Sequence, residues 1–201
     1  SEPYAVTALI LAGGKSSRFG SDKALLEYDS RSVVSHLAAE CAKVCNEVLV
    51  ITDSGKKFAL EDAREIADNY RGMGPLGGLQ AGLSAAANEL CLLMACDMPL
   101  LTSAVMECFI INAQLKKCDI AMAKFGSDVE PMFGIYSKNL LPQIEKNLAE
   151  SRRSLLNLTK SADTCFFGEE IWQDSACGAD VFFNVNYQSD YQKLLDGEND
   201  H

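Results

Sequence analysis

The sequence predicts a single α/β domain built on a mostly parallel central sheet, and three observations carry that prediction. Strand-length apolar runs alternate with segments of helical spacing through the first half of the chain, the pattern of a sheet whose parallel strands are joined by right-handed helical crossovers. Two runs, Ala5 to Ala12 and Leu90 to Ala95, are almost continuously apolar, as strands covered on both faces are. Both stop abruptly in polar loops, Gly13-Gly14 and Cys96-Asp97-Met98-Pro99.

Composition agrees with one soluble core. The 201 residues are 48% hydrophobic and 23% charged, and no apolar run approaches the ~20 residues of a membrane span. Residues 1–195 are expected to form one domain, and the polar, acidic tail 196–201 to be disordered. A formal charge of −10 repels nucleic acid and anionic lipid, so neither is an expected partner and any anionic ligand must be gripped by local cations. The N-terminus shows no basic and apolar leader, which points to the cytoplasm. Eight cysteines lie scattered without a CxxC pair (41, 45, 91, 96, 108, 118, 165 and 177). They are expected to be buried free thiols in a reducing compartment, and two histidines, His36 and His201, leave little for a zinc site.

In chain order, Val33, Val34, Leu37, Ala38, Cys41 and Val44 repeat at helical spacing, giving a helix over 32–45 with His36 on its flank. Glu47 to Thr52 reads as a strand, Lys56 to Ala63 as a short polar helix and Glu65 to Ala67 as a weak strand. A second glycine-rich loop, Asp68 to Gly78, opens an alanine-rich helix reaching Asn88, with Pro75 suited to its first turn. Thr102 to Lys117 is helical by pattern, Asp119 to Lys124 a strand, Gly126 to Pro131 an exposed turn and Phe133 to Ser137 another strand. Lys138 to Ala149 and Leu155 to Lys160 are helical, and Thr164 to Phe167 and Val181 to Val185 are late short strands.

The chemistry concentrates at strand ends. Gly13 and Gly14 let a ligand approach the backbone, and Arg18 and Lys23 add positive charge, together a cradle for a nucleotide triphosphate. Ligands of open α/β sheets sit beyond the carboxyl ends of the strands, so Asp97 falls on the same edge. There a carboxylate can hold Mg²⁺ against phosphate oxygens, or it can cap the following turn; Thr102 is available as the helix cap instead. The second glycine loop either presents a helix N-terminus to a ligand or merely packs tightly. Arg152 and Arg153 either clamp a phosphate bidentately or pair with Glu145 and Glu150. Asn184 and Asn186 alternate onto one strand face.

Taken together, these segments resemble the molybdenum cofactor guanylyltransferases. The carriers are Leu11-Ala-Gly-Gly14 with Arg18, Gly20 and Lys23; Asp68 ahead of Gly74-Pro-Leu-Gly-Gly78; Cys96-Asp-Met-Pro99; Glu130-Pro131 before a strand; Arg152-Arg153; and Phe183-Asn-Val-Asn186. The resemblance implies a Rossmann-like three-layer sandwich of the nucleotide-diphospho-sugar transferase type. It implies transfer of a guanylyl group from GTP to the phosphate of molybdopterin, with Mg²⁺ as cofactor. It also implies transient contact with molybdopterin-synthesis proteins or recipient molybdoenzymes. Carried over, Leu11, Ala12, Gly13, Gly14 and Lys23 contact GTP, Asp68 and Gly78 hold the guanosine, Asp97 ligates the metal, and Lys23, Arg18 and Asp97 serve catalysis. Asn184, Asn186, Arg152 and Arg153 fall to molybdopterin. Where the family commonly continues Asn-x-Asn with Thr-Pro and an acidic residue, this chain has Asn186-Tyr-Gln-Ser-Asp190, which changes the start of the last helix.

Phosphoryl-type transfer needs positioning and charge neutralisation rather than a protein nucleophile, and this inventory offers both. The competing readings are a relative that uses CTP on the pterin or UTP/dTTP on a sugar phosphate, and a non-catalytic carrier of GTP and molybdopterin. By the resemblance, Gly14, where the cytidylyl relatives tend to have LAAG, tilts the choice to guanine, and the presence of both Lys23 and Asp97 tilts it to catalysis.

Overall fold

A computed structural model describes residues 2–13, 27–28, 31–52, 58–70 and 72–172, with 27, 28 and 31 through their backbone. The strands are β1 (Tyr4–Leu11), β2 (Glu27–Tyr28), β3 (Arg31–Ser32), β4 (Cys45–Thr52), β5 (Arg64–Ala67), β6 (Leu90–Ala95), β7 (Ile120–Phe125), β8 (Asp128–Ser137) and β9 (Thr164–Phe167). The helices are α1 (Val33–Ala42), α2 (Pro75–Ala85), α3 (Ser103–Lys116) and α4 (Leu141–Ala149). Seven strands form one sheet in the order β5-β4-β1-β6-β8-β7-β9, and β2 and β3 pair separately.

Along β1, Val6, Ala8 and Ile10 face one apolar cluster and Leu9 the other, the period-2 alternation of a strand buried on both faces. The first cluster takes Val34, Leu37 and Cys41 from α1 and Val105, Phe109 and Ile110 from α3. The second takes Leu76, Leu79 and Leu83 from α2 and Ile144 and Leu148 from α4. The sheet is thus the middle layer of a three-layer sandwich, as expected. Beneath α3, Phe109 stacks on Trp172 with ring centroids 5.4 Å apart.

β8 alone among these seven strands runs against the others: it is antiparallel to β6 and β7, while β1, β4, β5, β6 and the β7–β9 pair align. Local chemistry sets the helix starts. The hydroxyls of Ser32 and Thr102 accept from the N–H groups of Ser35 and Val105, and Pro75 and Pro142 sit in first turns where no N–H is needed. A carboxylate of α1 adds to this, with Glu40 accepting from Ser103 N at 2.8 Å at the start of α3. Among the described residues no helix is long and apolar enough to cross a membrane.

Several expectations are corrected. Residues 58–63 of the expected 56–63 helix are irregular: Ala59 takes a left-handed φ of 51°, and Phe58 N donates to the Glu65 side chain at 2.7 Å. The exposed turn shrinks to Gly126-Ser127, and Asp128–Pro131 extend β8. Pro131 is tolerated there because β8 bulges, its register with β7 slipping between Met122 and Ala123. The expected helical segments are present at 138–149 and 155–160, with residues 138–140 and 155–160 wound as 3₁₀. The expected 181–185 strand lies outside the described residues.

The cysteines are not all free thiols either. Cys118 and Cys165 form a disulfide, their Cα atoms 6.1 Å apart. Forty-seven residues of sequence separation hide a proximity created when β9 pairs in parallel with β7, Ala121 opposite Cys165. Cys41, Cys45 and Cys91 are buried thiols, and burial pushes those of Cys45 and Cys91 up to about 12.

At the amino ends of the strands a polar network replaces apolar packing. Glu47 accepts from the Thr7 hydroxyl (2.6 Å), the Ala87 N–H (2.8 Å) and Arg64 (3.3 Å), and Asn88 donates to Thr7 (3.0 Å). Burial pushes the Glu47 carboxyl up, but these three donors outweigh it and the net displacement is downward.

Two outcomes follow from these contacts. A carboxyl depressed in the folded state contributes stability that is present above its unfolded value and lost as pH falls through the folded one. Glu47→Gln should therefore cost about 1 kcal/mol at pH 7 in urea melts, the difference closing below the ordinary carboxylate range. Reduction of Cys118–Cys165 should lower stability by about 2–4 kcal/mol, given the long loop it closes. In Cys118→Ser the dependence on reductant should vanish.

Candidate functional site

Of the residues singled out by sequence, Leu11, Ala12, Gly13, Asp68, Gly78 and Asp97 lie at or beside the carboxyl ends of β1, β4, β5 and β6. Leu11 lies opposite Ile51 on one side and Ala95 on the other. Pairing continues one residue beyond the ladder: Ala12 N donates to Ile51 O (2.9 Å), and Cys96 N donates to Leu11 O (3.2 Å). The strand end that launches Gly13 is therefore bonded to both neighbours, and Gly13 itself is exposed. Gly14, Arg18 and Lys23 lie outside the described residues, as do Asn184 and Asn186.

Asp97 comes two residues after β6, half-buried, in a turn closed by Met98 N donating to Ala95 O at 3.3 Å. It does not cap α3; Thr102 does. The antiparallel register of β6 with β8 runs from Leu90 opposite Ser137 to Leu93 opposite Gly134. Beyond Gly134 β8 leaves β6, and Glu130 lies farther along it toward the edge that carries Asp97. The electrostatics agree: burial pushes the Glu130 carboxyl up, a bond from Met132 N at 3.0 Å opposes this, and the Asp97 charge adds to the rise. The Tyr136 hydroxyl pins the adjacent bulge by donating to Pro131 O at 2.6 Å.

Two carboxylates at one strand end are hard oxygen donors of the kind Mg²⁺ takes. No group of three or more His, Cys, Asp or Glu ligands occurs among the described residues. Mg²⁺ commonly binds through one or two carboxylates and completes its shell with waters and substrate phosphates. Glu130 is the site residue to which sequence reasoning assigned no role. Its only signal was the Glu130-Pro131 pair ahead of a strand.

The second glycine loop closes the other end of the edge. Asp68 N donates to Thr52 O (2.8 Å), and the buried Asp68 carboxylate accepts from Tyr70 N (2.7 Å). Gly72 and Gly74 then take φ of +76° and +67°, a conformation that side chains disfavour. Gly74 leads into α2 with no side-chain cap, leaving the partial positive charge of the helix N-terminus at this edge. Gly78 faces inward: a Cβ there would lie 2.8 Å from the Leu11 side chain. It lets α2 rest on the end of β1 and does not line the surface with its own side.

The paired arginines divide. Arg152 meets Glu150 at 3.1 Å on the exposed surface, whereas Arg153 Nη1 donates to Gly72 O at 3.1 Å.

Comparison with known proteins places this edge in context. Residues 8–164 match the family described as MobA-like NTP transferase domain. A probable molybdenum cofactor guanylyltransferase of Carboxydothermus hydrogenoformans is 30% identical over 190 residues, covering 94% of this chain and 95% of that one. Its counterpart in Pelotomaculum thermopropionicum is 32% identical, covering 93% and 90%. Among solved structures, molybdopterin-guanine dinucleotide biosynthesis protein A from Archaeoglobus fulgidus superposes with a TM-score of 0.85 over 97% of this chain and 100% of that one. At 18% identity that likeness speaks for the fold alone. With the family match spanning most of the sequence and near-full-length relatives at 30% identity or more, this chain belongs to the MobA-like NTP transferase family.

Proposed function

We propose that this protein transfers the guanylyl group of GTP to the terminal phosphate of molybdopterin, forming molybdopterin guanine dinucleotide and pyrophosphate. Relatives of nearly the same length that bear the guanylyltransferase name support the reaction. The observation in the molecule that carries it is the bond from Cys96 N to Leu11 O, which ties the Asp97 turn to the strand that launches the glycine loop. Triphosphate and metal chemistry then share one edge.

In this reading Leu11, Ala12, Gly13 and Gly14 supply backbone to the nucleotide, and Lys23 and Arg18 balance its phosphate charge. Asp68 and Gly78 shape the guanosine end, Gly78 through the seat it gives α2 on Leu11. Asp97 would hold Mg²⁺, with Glu130 strengthening the negative potential there, and the ion when bound would supply charge neutralisation for the triphosphate. Asn184 and Asn186 serve the pterin and Arg152 its phosphate. The acceptor is already an anion, so its phosphate oxygen attacks the α-phosphorus without a general base. The bond from that phosphorus to the bridging oxygen breaks, and pyrophosphate leaves. The substrates are GTP and molybdopterin and the compartment is the cytoplasm.

Thermal shifts with GTP, CTP, UTP, ATP and NAD in the presence of Mg²⁺ test the nucleotide. At a hundred times Kd the true ligand should add about 2.7 kcal/mol. Selective stabilisation by CTP or UTP would overturn the guanine assignment, and stabilisation by none would overturn the nucleotide reading. Pyrophosphate release with molybdopterin present tests catalysis. Asp97→Ala should remove at least about a hundredfold of the rate with an unchanged melting curve, on the scale of losing a principal charge-stabilising group. Lys23→Ala should weaken GTP binding as well. Mg²⁺-dependent turnover retained in Asp97→Ala would sink the metal assignment.

A further inference from the structure

We infer that Arg153 is a positioning residue for the nucleotide: it holds the Asp68–Gly74 loop in the shape that receives GTP, which departs from the acceptor-phosphate role that resemblance suggests. This rests on the guanylyl-transfer reading above.

The placement begins with β8. Because β8 runs against its neighbours, it ends at Ser137 beside Leu90, the amino end of β6. α4 therefore starts at the amino edge of the sheet and travels back toward the carboxyl edge alongside α2, to which it is tied where Gln80 Nε2 donates to Glu145 Oε1 at 3.3 Å. Its far end comes to the second glycine loop. There the chain is turned by three backbone bonds: Glu150 N to Lys146 O (3.1 Å), Ser151 N to Leu148 O (3.0 Å) and Arg152 N to Asn147 O (2.8 Å). Ser151 takes a φ of +58° in doing so. The turn separates the two arginines, sending Arg152 to Glu150 and Arg153 to the Gly72 carbonyl.

The loop it reaches is anchored at both ends. Asp68 bonds β4 through its N–H and Tyr70 through its carboxylate, and Met73 N donates to Tyr70 O at 3.0 Å. At the α2 end, Gly77 is seated so closely that a Cβ would lie 2.9 Å from Tyr70 O. Between these anchors Gly72 and Gly74 both occupy the left-handed region, where glycine has the most alternatives to lose. A guanidinium bonded to the Gly72 carbonyl selects one of those alternatives before ligand arrives. A loop that is competent only part of the time lowers apparent affinity by that fraction. Arg153 therefore acts on GTP binding and leaves the chemical step alone.

Hydrogen exchange of the ligand-free full-length protein, read on a peptide covering 68–77, measures the hold directly. Calorimetric GTP titration and KM for GTP and for molybdopterin measure its consequence. Arg153→Ala should raise exchange in the loop and weaken GTP binding about three- to tenfold, with KM for GTP rising and kcat retained. Arg153→Lys, which keeps a donor and the charge, should restore part of both, and Arg152→Ala should leave loop exchange unchanged. Unchanged exchange in Arg153→Ala overturns the proposal, as does raised exchange with undiminished GTP affinity. A defect confined to KM for molybdopterin overturns it in favour of the acceptor-phosphate role. Wild-type protein that binds no GTP overturns the guanylyl-transfer reading and the proposal with it, an outcome the wild-type control distinguishes from the other three.

Discussion

The double pairing of β1 is the constraint on which the site depends. Its residues from Thr7 to Leu11 are in register with β4 and β6 at once, and Val6, Ala8, Leu9 and Ile10 are wholly buried between the helical layers. A strand held by two ladders and two apolar faces has no low-cost direction in which to move. Its carboxyl end is therefore a fixed origin, and the Asp97 turn and the seat of α2 are both bonded or packed directly onto Leu11.

β8 is the second organising feature. An all-parallel sheet would return α4 in the opposite direction and leave the 150–153 turn at the amino edge. The reversal brings that turn to the functional edge instead, and the same strand carries Glu130 to where the charge of Asp97 reaches it. The Pro131 bulge lets one strand serve both purposes: β8 pairs with β6 as far as Gly134, then follows β7 alone. At the opposite edge, the Glu47 network holds the amino ends of the strands with hydrogen bonds. Polar chemistry thus sits at both rims of the sheet and apolar packing in its middle, as a two-faced buried sheet requires.

Elements whose cause is local were legible in the chain. The apolar run of β6 ends at Ala95 as read, Thr102 caps α3, and Pro75 begins α2, because strand burial, side-chain capping and proline geometry act within a few residues. Elements decided by distant partners were not. The 58–63 segment looked helical, but Ala59 there takes a left-handed φ and Phe58 N is tied to the Glu65 carboxylate from β5. The disulfide needed β9 beside β7. Asp97 was readable as a strand-end carboxylate, but its Glu130 neighbour and the parting of Arg152 from Arg153 depend on a strand reversal that no residue pattern announces.

By itself, then, the sequence determined the α/β class, the central strands, the glycine loops and the chemical character of their ends, since each follows from periodicity or from the conformational needs of single residues. Only tertiary structure decided which charged groups meet. Strand direction is a collective property of the sheet, and it is this that brings Glu130 to Asp97 and Arg153 to Gly72.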